Sequence, residues 1–201
     1  MSMLKAAPFY FLRHGETDWN FRRIIQGQTD TALNATGLQQ AAYIAAHVAA
    51  LPLTTICSSS LSRAQATAAI VNRGRGLPVI ALPELMECHL GEIQGQPANG
   101  AWRETWIAGG PMPGGETYAA FCARVVRGFA AALEHPGPVL IVGHGGSFWG
   151  LETHGLIAPG TRVPNCALFR FDPPSDSQYW KVTLLAAAPG ESLAIGEAPV
   201  A

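Results

Sequence analysis

Two histidines follow short apolar segments, and a glycine comes directly after each of them. His14 follows the segment 9–12 (FYFL) and Arg13, and His144 follows the segment 138–143 (PVLIVG). Apolar runs of this length without alternation are typical of strands that are covered on both faces. If the two strands are neighbours, both imidazoles lie at one edge of the sheet, and the glycines allow a ligand to approach the backbone closely.

A third cationic group belongs to the same region of the predicted fold. Arg63 lies in the first turn of a helix that follows another apolar run, residues 54–57, and a helix N-terminus favours anions. Together with Arg13, His14 and His144, it predicts a cationic pocket in a chain whose formal net charge is only −1. A phosphoryl group fits such a pocket, whereas a solvated arginine is the alternative interpretation of Arg63.

The elements that position these residues alternate between strand and helix along the chain. Strands are predicted at residues 9–12, 54–57, 79–82 and 138–143, and two closing strands, whose antiparallel pairing is left open, within 165–172 and 179–185. Helices are predicted at residues 36–51, 62–71, 102–107 and 116–133, and from 147. This alternation predicts an α/β fold, a three-layer α/β/α sandwich with a mostly parallel central sheet. We expect one domain over residues 1–201.

Two of these helices carry a predicted start signal. Thr36 is followed three residues later by Gln39, and Ser62 is followed in the same way by Gln65. Because this is the spacing of a capping box, Thr36 and Ser62 are predicted to be N-caps.

The segment 83–113 and the C-terminal tail do not follow the alternation. Residues 83–113 are rich in Gly, Pro and Trp. Long irregular segments in compact domains are usually functional, so we expect an excursion that covers the active site. The tail from about residue 187 has no usable periodicity, which leaves disorder open.

Composition excludes several classes of partner. A net charge of −1 and a pI near 6.6 provide no general basic field for nucleic acid or for an anionic membrane surface. The longest apolar stretch, residues 41–53, contains a histidine and is too short for a membrane span. The four cysteines show no C-x-x-C spacing and are predicted to be buried thiols of a reducing compartment. We therefore expect a cytoplasmic protein without nucleic-acid or membrane partners, of unknown oligomeric state.

Six sequence motifs occur in one order between about residues 9 and 171. They are R-H-G-E-T at 13–17 with Asn20 after it, Q-G at 26–27, L-N-x-x-G at 33–37, S-x-L-S-R-A-x-x-T-A at 59–68, P-G-G-E-T at 113–117 and V-x-H-G-G at 142–146. On these motifs the chain resembles the histidine phosphatase superfamily, the phosphoglycerate mutase-like group. R-H-G by itself would be a weak signal, but the ordered set is specific.

The resemblance implies a role for each residue of the predicted pocket. His14 would be the nucleophile that forms a phosphohistidine, and the groups that hold the phosphoryl oxygens and neutralise the developing charge would be Arg13, Arg63 and His144. The substrate-binding residues that it implies are Asn20, Gln26, Gly27 and Gly145. The two arginines would also keep the nucleophile neutral. No metal or other cofactor is implied, because the arginines and the second histidine supply the positive charge.

A carboxyl group opposite the nucleophile must protonate the leaving oxygen. The family places it in a segment of the form L-x-E-x-x-x-G, which matches residues 85–91 and implies that Glu87 is the general acid and later the base for water. Glu84 and Glu92 are the alternatives. The chain departs from many family phosphatases at residues 93–95, which read I-Q-G in place of W-E-G. This departure puts the substrate preference in doubt.

The resemblance implies a metal-independent phosphatase, of the histidine acid phosphatase type, that hydrolyses small phosphomonoesters. A phosphoglycerate mutase is the alternative within the family, although such mutases carry additional residues in the middle and near the end of the chain that this sequence lacks. A catalytically idle protein that binds a phospho-ligand and a histidine-based metal site are the alternatives from other classes.

Five further residues have two interpretations each. Three of them either line the mouth of the pocket or close the excursion over the core, and these are His89, Trp102 and Trp106. Arg22 and Arg23 either meet an acidic part of a substrate or are simply exposed.

Overall fold

A six-stranded sheet forms the centre of the protein. The computed structural model describes residues 4–99 and 102–189, and its strands are β1 (Phe9–Arg13), β2 (Thr55–Ser58), β3 (Val79–Ala81), β4 (Val139–Gly143), β5 (Leu168–Asp172) and β6 (Lys181–Ala186). The strand order is β3-β2-β4-β1-β5-β6. Strands β3, β2, β4 and β1 are parallel, whereas β5 is antiparallel to both of its neighbours. The predicted α/β fold with a mostly parallel sheet is confirmed, and the two closing strands pair in antiparallel fashion.

Helices cover both faces of this sheet. They are α1 (Asp18–Phe21), α2 (Ala35–Ala49), α3 (Ser62–Val71), α4 (Trp102–Ile107), α5 (Tyr118–Leu133) and α6 (Ser147–Thr153), with two 3-10 turns at Pro83–Leu85 and Gly91–Ile93. Helices α2 and α3 contribute to one hydrophobic core, and α5 and α6 contribute to the other. Helix α1 is a single turn that was not among the predicted helices.

Both faces of the central strands are buried, and alternate residues enter different cores. In β1, Phe9 and Phe11 pack in the core of α5 and α6, whereas Tyr10 and Leu12 pack in the core of α2 and α3. The ring of Phe11 stacks on that of Phe129 in α5 with the centroids 5.9 Å apart. Because neither face meets water, the strand needs no polar residue at alternate positions, which explains its uninterrupted apolar sequence.

Both predicted N-caps are wrong. Asn34 caps α2 in place of Thr36, because its Oδ1 accepts a hydrogen bond from the backbone N–H of Gly37 at 2.8 Å. Helix α3 begins with Ser62 itself, whose backbone N–H donates to Oδ1 of Asp30 at 2.8 Å. In each case another side chain already satisfies an amide of the first turn, so the predicted caps lie inside the helix.

The excursion at 83–113 packs against the rest of the chain in its described parts, 83–99 and 102–113. The predicted short helix at 102–107 is confirmed as α4. Ile24 forms an isolated bridge with Pro97, and the backbone N–H of Gly95 donates to the carbonyl oxygen of Ile25 at 2.8 Å. Of the tail that was expected from about residue 187, residues 190–201 lie outside the described ranges.

The burial of the cysteines agrees with a further expectation from composition. All four cysteines are buried thiols. Within residues 4–99 and 102–189, no helix has the length and apolar character needed to cross a membrane.

The first turn of α2 is fastened to the loop that follows β1. The backbone N–H of Asn34 donates to the carbonyl oxygen of Glu16 at 3.0 Å, and Asn34 Nδ2 donates to Glu16 Oε1 at 2.9 Å. Gly37 approaches the same loop so closely that a Cβ atom there would lie 2.0 Å from the carbonyl oxygen of Glu16. The L-N-x-x-G motif therefore holds the loop that begins at His14.

The substitution Gly37→Ala is expected to lower the free energy of unfolding by about 1–3 kcal/mol, because the added methyl group must displace packed backbone. Helix propensity alone predicts the opposite result, since alanine is favoured over glycine in a helix. Urea unfolding of the wild type and the variant measures the difference. Ala46→Gly, at an exposed position of α2, is the control for propensity and should cost no more than about 1 kcal/mol. A Gly37→Ala variant as stable as the wild type would contradict this account of the motif.

Candidate active site

The pairing of β1 with β4 brings the two predicted histidines together. Arg13 is opposite Gly143 in the parallel ladder, so His14 and His144 are the next residues of adjacent strands. Their ring centroids are 5.1 Å apart. On the other side of β4 lies β2, and Arg63 follows it in the first turn of α3. Three neighbouring strands thus deliver cationic or imidazole groups to one edge of the sheet.

A pocket of about 170 Å³ opens at this edge. Its polar lining, the charged floor, consists of residues singled out in the sequence, namely Arg13, His14, Asn20, Gln26, Gly27, Arg63 and Glu87. The remaining lining, the apolar wall, consists of Ile24, Ile25, Cys88, Leu90, Ala98, Trp102 and Trp149. The pocket therefore has one part suited to an anion and another suited to an uncharged group.

His144 and Gly145 lie beside the pocket and are not among its lining residues. His144 is completely buried, and its Nε2 is 2.8 Å from Oγ of Ser59. Gly145 packs against the guanidinium group of Arg13, where a Cβ atom would lie 3.6 Å from Cζ. Gly145 thus contacts a guanidinium group of the charged floor, and the ring of His144 lies next to that of His14.

The ring of His14 is held in one tautomer. Its Nδ1 is 2.7 Å from the carbonyl oxygen of Gly15. A carbonyl oxygen can only accept, so Nδ1 carries the proton and Nε2 keeps its lone pair. The backbone is fixed as well, because the N–H of His14 donates to the oxygen of Gly143 at 3.0 Å. The histidine therefore presents a nucleophilic nitrogen.

Both histidines are uncharged near neutral pH. Burial lowers the pKa of His14 well below its ordinary value of 6.5, and the charges of Arg63 and Arg13 lower it further, while the hydrogen bond to Gly15 acts in the opposite direction. Burial also lowers the pKa of His144 well below 6.5, followed by the effects of Arg63, His14 and Arg13. The loss of hydration and the nearby guanidinium groups both disfavour an imidazolium.

Backbone carbonyl groups hold the two guanidinium groups in place. Arg63, which is 1% exposed, donates from Nη1 to Thr29 at 3.0 Å and from Nη2 to Gly27 at 2.8 Å. Arg13 donates from Nη1 to Val163 at 2.6 Å. These carbonyl dipoles stabilise the buried positive charge. Burial lowers the pKa of Arg63, whereas the carboxylates of Glu87 and Asp30 raise it and so favour the charged form in the same way as the carbonyl groups.

Three buried nitrogen atoms of the site have no hydrogen-bond partner among the described residues. They are Nε of Arg63, Nδ1 of His144 and Nε1 of Trp102. An unsatisfied buried polar group costs about 1–3 kcal/mol, and native proteins contain few of them. The oxygen atoms of a bound anion would satisfy those of Arg63 and His144.

Two side-chain amides of the floor have their oxygen atoms engaged by the protein. Oδ1 of Asn20 accepts from Nδ2 of Asn165 at 3.3 Å, and Oε1 of Gln26 accepts from Oγ1 of Thr31 at 2.6 Å. Each amide therefore keeps its NH₂ group as the donor for a ligand. Thr17 links the two, since its Oγ1 lies within 3.1 Å of both amide oxygens.

Of the three candidate acids, only Glu87 lines the pocket. Its Oε2 accepts from the backbone N–H of Gly146 at 3.2 Å, and its Oε1 accepts from that of Cys88 at 3.0 Å. A Cβ atom at Gly146 would lie 2.2 Å from Oε1, so only glycine leaves room for this carboxylate. Glu92 is exposed and Glu84 is half-buried.

Arg124 of α5 holds the segment that carries Glu87. It donates to the carbonyl oxygens of Glu84 at 2.9 Å, Met86 at 2.8 Å and Glu87 at 3.1 Å. Its charge is paired with Glu116, 2.5 Å away, whose Oε1 also accepts from the N–H of His89. The glutamate of P-G-G-E-T thus helps to fix the general-acid candidate.

Four residues of the site received no role from the sequence. Ser59 and Trp149 lie within or beside the motifs, but nothing in the local pattern shows that one contacts His144 and the other lines the pocket. Arg124 lies in an ordinary amphipathic helix. Asn165, which is buried, donates from Nδ2 to the carbonyl oxygen of His14 at 3.0 Å across 151 positions of sequence. These contacts depend on tertiary structure.

Of the five residues that had two interpretations, the structure places one in the pocket lining and four outside it. Trp102 lines the pocket, whereas Trp106 is fully buried in the core and donates from Nε1 to the carbonyl oxygen of Glu116 at 2.8 Å. His89 is half-buried outside the pocket lining. Arg22 and Arg23 are exposed and do not line the pocket.

Comparison with known proteins identifies the family of this chain. Residues 9–182 match the model of the histidine phosphatase superfamily, branch 1. The chain belongs to the histidine phosphatase superfamily. A relative from Enterobacter sp. (strain 638), named probable phosphoglycerate mutase GpmB, is 35% identical over 179 residues, which are 81% of this chain and 83% of the relative.

Two solved structures of the superfamily share the fold. The alpha-ribazole phosphatase of Shigella flexneri has a TM-score of 0.74 and 30% identity, over 95% of this chain and 99% of that one. A mycobacterial glucosyl-3-phosphoglycerate phosphatase, in complex with VO3, has a TM-score of 0.74 and 31% identity, over 91% and 100%. Superfamily membership supports an enzyme of the phosphatase and mutase group, and not specifically an acid phosphatase.

Among the residues that the structure describes, no group of three or more His, Cys, Asp or Glu side chains could hold a metal ion.

The lowered pKa values of His14 and His144 predict how stability depends on pH. Below about pH 6.5 the unfolded chain binds protons at both histidines while the native state does not, so stability falls as the pH falls from 6.5 towards the native pKa values. Each histidine adds up to about 1.4 kcal/mol per pH unit to this slope. Urea unfolding at several pH values should give a shallower slope for His14→Gln. His47→Gln removes an exposed histidine and is the control, and equal slopes in the two variants would contradict the prediction.

Proposed function

We propose that the protein is a metal-independent phosphatase that hydrolyses small phosphomonoesters through a phosphohistidine on His14. The observation that carries this proposal is the hydrogen bond from His14 Nδ1 to Gly15, which directs the lone pair of Nε2 towards a ligand. The guanidinium groups of Arg13 and Arg63 line the same pocket. A neutral nucleophile next to fixed positive charge suits an anionic phosphoryl group.

In the first step, Nε2 of His14 attacks phosphorus and the bond from phosphorus to the ester oxygen breaks. Arg13, Arg63 and His144 stabilise the charge on the phosphoryl oxygens, which is the main requirement of phosphoryl transfer. Glu87, in its protonated form, gives its proton to the leaving oxygen. The alcohol departs, and His14 carries the phosphoryl group.

In the second step, water replaces the alcohol. The Glu87 carboxylate removes a proton from a water molecule, whose oxygen attacks phosphorus while the phosphorus–nitrogen bond breaks. Inorganic phosphate leaves, and the free imidazole and the protonated Glu87 are restored. The carboxyl group of Glu87 thus acts first as an acid and then as a base, and its protonation state at the end of the cycle is the same as at the start.

The remaining floor residues bind the substrate in this proposal. The NH₂ groups of Asn20 and Gln26 donate to phosphoryl oxygens, since both amide oxygens are occupied within the protein. Gly27 shapes the floor and accepts from Arg63. The loop at Gly145 lets the backbone approach the phosphoryl group while it contacts Arg13.

The names of the relatives leave the fate of the phosphoryl group open. The sequence relative is named a phosphoglycerate mutase, and the structural relatives are named phosphatases of two different compounds. Hydrolysis is favoured here because several residues that line the pocket, including Trp102 and Trp149, are half-exposed, so that water reaches the phosphoenzyme. A mutase must exclude water at this stage.

Replacement of the nucleophile and of the acid should have separable effects. His14→Ala is expected to abolish the release of phosphate and the labelling of the protein. Glu87→Gln should slow the hydrolysis of alkyl phosphates by about 10²–10⁴-fold, and should slow the labelling by 4-nitrophenyl phosphate much less, because nitrophenolate leaves without a proton. Mass spectrometry after a denaturing quench at alkaline pH measures phosphohistidine, with His47→Ala as the control.

Two results of this experiment would overturn the assignments. No phosphohistidine in the wild type would favour a protein that only binds a phospho-ligand. Equally slow labelling of Glu87→Gln and His14→Ala would show that Glu87 is not the acid.

Phosphatase and mutase activities are distinguished by their products. With 4-nitrophenyl phosphate or another phosphomonoester, we expect stoichiometric release of inorganic phosphate at a rate above the conversion of 3-phosphoglycerate to 2-phosphoglycerate. A phosphate assay and phosphorus NMR measure the two rates on the same preparation. A conversion rate far above hydrolysis would identify a mutase.

A further inference from the structure

We propose that the pocket selects phosphomonoesters whose alcohol part is an uncharged, planar aromatic group bound between the tryptophans of the apolar wall. This inference rests on the proposed phosphatase function and adds the class of substrate. It follows from how charge, burial and aromatic rings are distributed around the pocket.

All charged side chains that line the pocket belong to the charged floor. These are Arg13, Arg63 and Glu87, and the chemistry of the phosphoryl group engages each of them. The apolar wall contains no ionisable group other than the thiol of Cys88, whose pKa burial raises well above its ordinary value. A carboxylate or second phosphate on the alcohol part would therefore lose its hydration there without gaining a cationic partner, and the unpaired Nε1 of Trp102 offers only a neutral donor in exchange, which is unfavourable.

The tryptophans of the apolar wall lie nearer to solvent than the floor. His14 and Arg63 are 2% and 1% exposed, whereas Trp102 and Trp149 are half-buried although they line the same pocket. A substrate with its phosphoryl group on the floor thus extends its alcohol part along these rings. They come from different elements, α4 and α6.

Trp149 is fixed in position before any ligand binds. The guanidinium carbon of Arg103 lies 4.5 Å from the centroid of the Trp149 ring, a cation–π contact that covers the ring from one side. The contact links α4 to α6, the two helices that carry the tryptophans. A rigid ring that lines a pocket loses little entropy on stacking, and stacked aromatic pairs are favoured beyond the area they bury.

Cations outside the floor do not compensate for the lack of charge in the wall. Arg103 contacts Trp149 and does not line the pocket, and Arg22 and Arg23 are exposed away from the lining. The wall is therefore suited to an aromatic ring and unsuited to the carboxylate of a phosphoglycerate.

Four esters of primary alcohols test this selection. Benzyl phosphate is the aromatic substrate, and 4-carboxybenzyl phosphate adds only a charge remote from the reacting oxygen. Cyclohexylmethyl phosphate replaces the aromatic ring by a non-planar ring of similar size, and ethyl phosphate has no ring. We expect kcat/KM for benzyl phosphate to exceed that for the carboxybenzyl ester at least tenfold, and that for the cyclohexylmethyl ester several-fold.

Two substitutions in the apolar wall should each lower a different one of these ratios. Trp149→Leu should reduce the preference for benzyl over cyclohexylmethyl phosphate several-fold, mainly through KM. Trp19→Leu is the matched control, because Trp19 is half-buried outside the pocket lining, and it should keep the wild-type ratio. Ile24→Arg places a cation at the wall and should raise the activity on the carboxybenzyl ester relative to the benzyl ester at least several-fold.

The outcomes distinguish this inference from the proposed function. If none of the esters is hydrolysed and 4-nitrophenyl phosphate yields no phosphohistidine, the phosphatase proposal itself fails. If the esters are hydrolysed but the carboxybenzyl ester is used as well as the benzyl ester, only the substrate class is wrong. Unfolding curves of the variants identify a loss of structure, and unchanged ratios in folded Trp149→Leu and Ile24→Arg would also overturn the inference.

Discussion

The concentration of positive charge in a buried pocket is the constraint to which the rest of the site responds. Two guanidinium groups and two imidazoles share a small volume in which His14, Arg63 and His144 are at most 2% exposed, and isolated buried charge is costly. The protein accommodates the guanidinium groups with carbonyl oxygens, those of Gly27 and Thr29 for Arg63 and that of Val163 for Arg13. The histidines remain neutral. The protein thus compensates the positive charge of the site only in part.

The same constraint explains why the excursion is anchored so firmly. The carboxylate of Glu87 belongs to the charged floor and must not form an ion pair with an arginine there. Contacts from outside the pocket hold it in place. The N–H of Gly146 binds the carboxylate, while Arg124 binds three carbonyl oxygens of the surrounding segment and is itself held by Glu116. An irregular segment thus acquires the rigidity that a catalytic group needs.

Sequence reasoning predicted those parts of the fold and site that local pattern determines. The uninterrupted apolar runs before His14 and His144 reflect strands buried on both faces, and parallel pairing then brings the histidines together. The caps of α2 and α3 were predicted wrongly for different reasons. Asn34, which caps α2, lies two residues before the predicted cap, whereas Asp30 accepts from the first turn of α3 across 32 positions of sequence. The roles of Asn165 and Trp149 were missed because they also depend on distant contacts. Asn165 binds a residue that lies far away in the sequence, and the sequence around Trp149 does not show that its ring lines a pocket and not the core.

The hydroxyl group of Ser59 gives the site a property that its arginines lack. It lies 2.8 Å from Nε2 of His144 and accepts from the N–H of Leu61. A hydroxyl group can donate a hydrogen bond or accept one, so neutral His144 keeps this contact in either tautomer while every heavy atom stays in place. The direction of the hydrogen bond then decides whether Nδ1, which has no partner among the described residues, carries a proton or a lone pair. The side of His144 that is turned away from Ser59 can therefore act as a donor or as an acceptor, which a guanidinium group cannot.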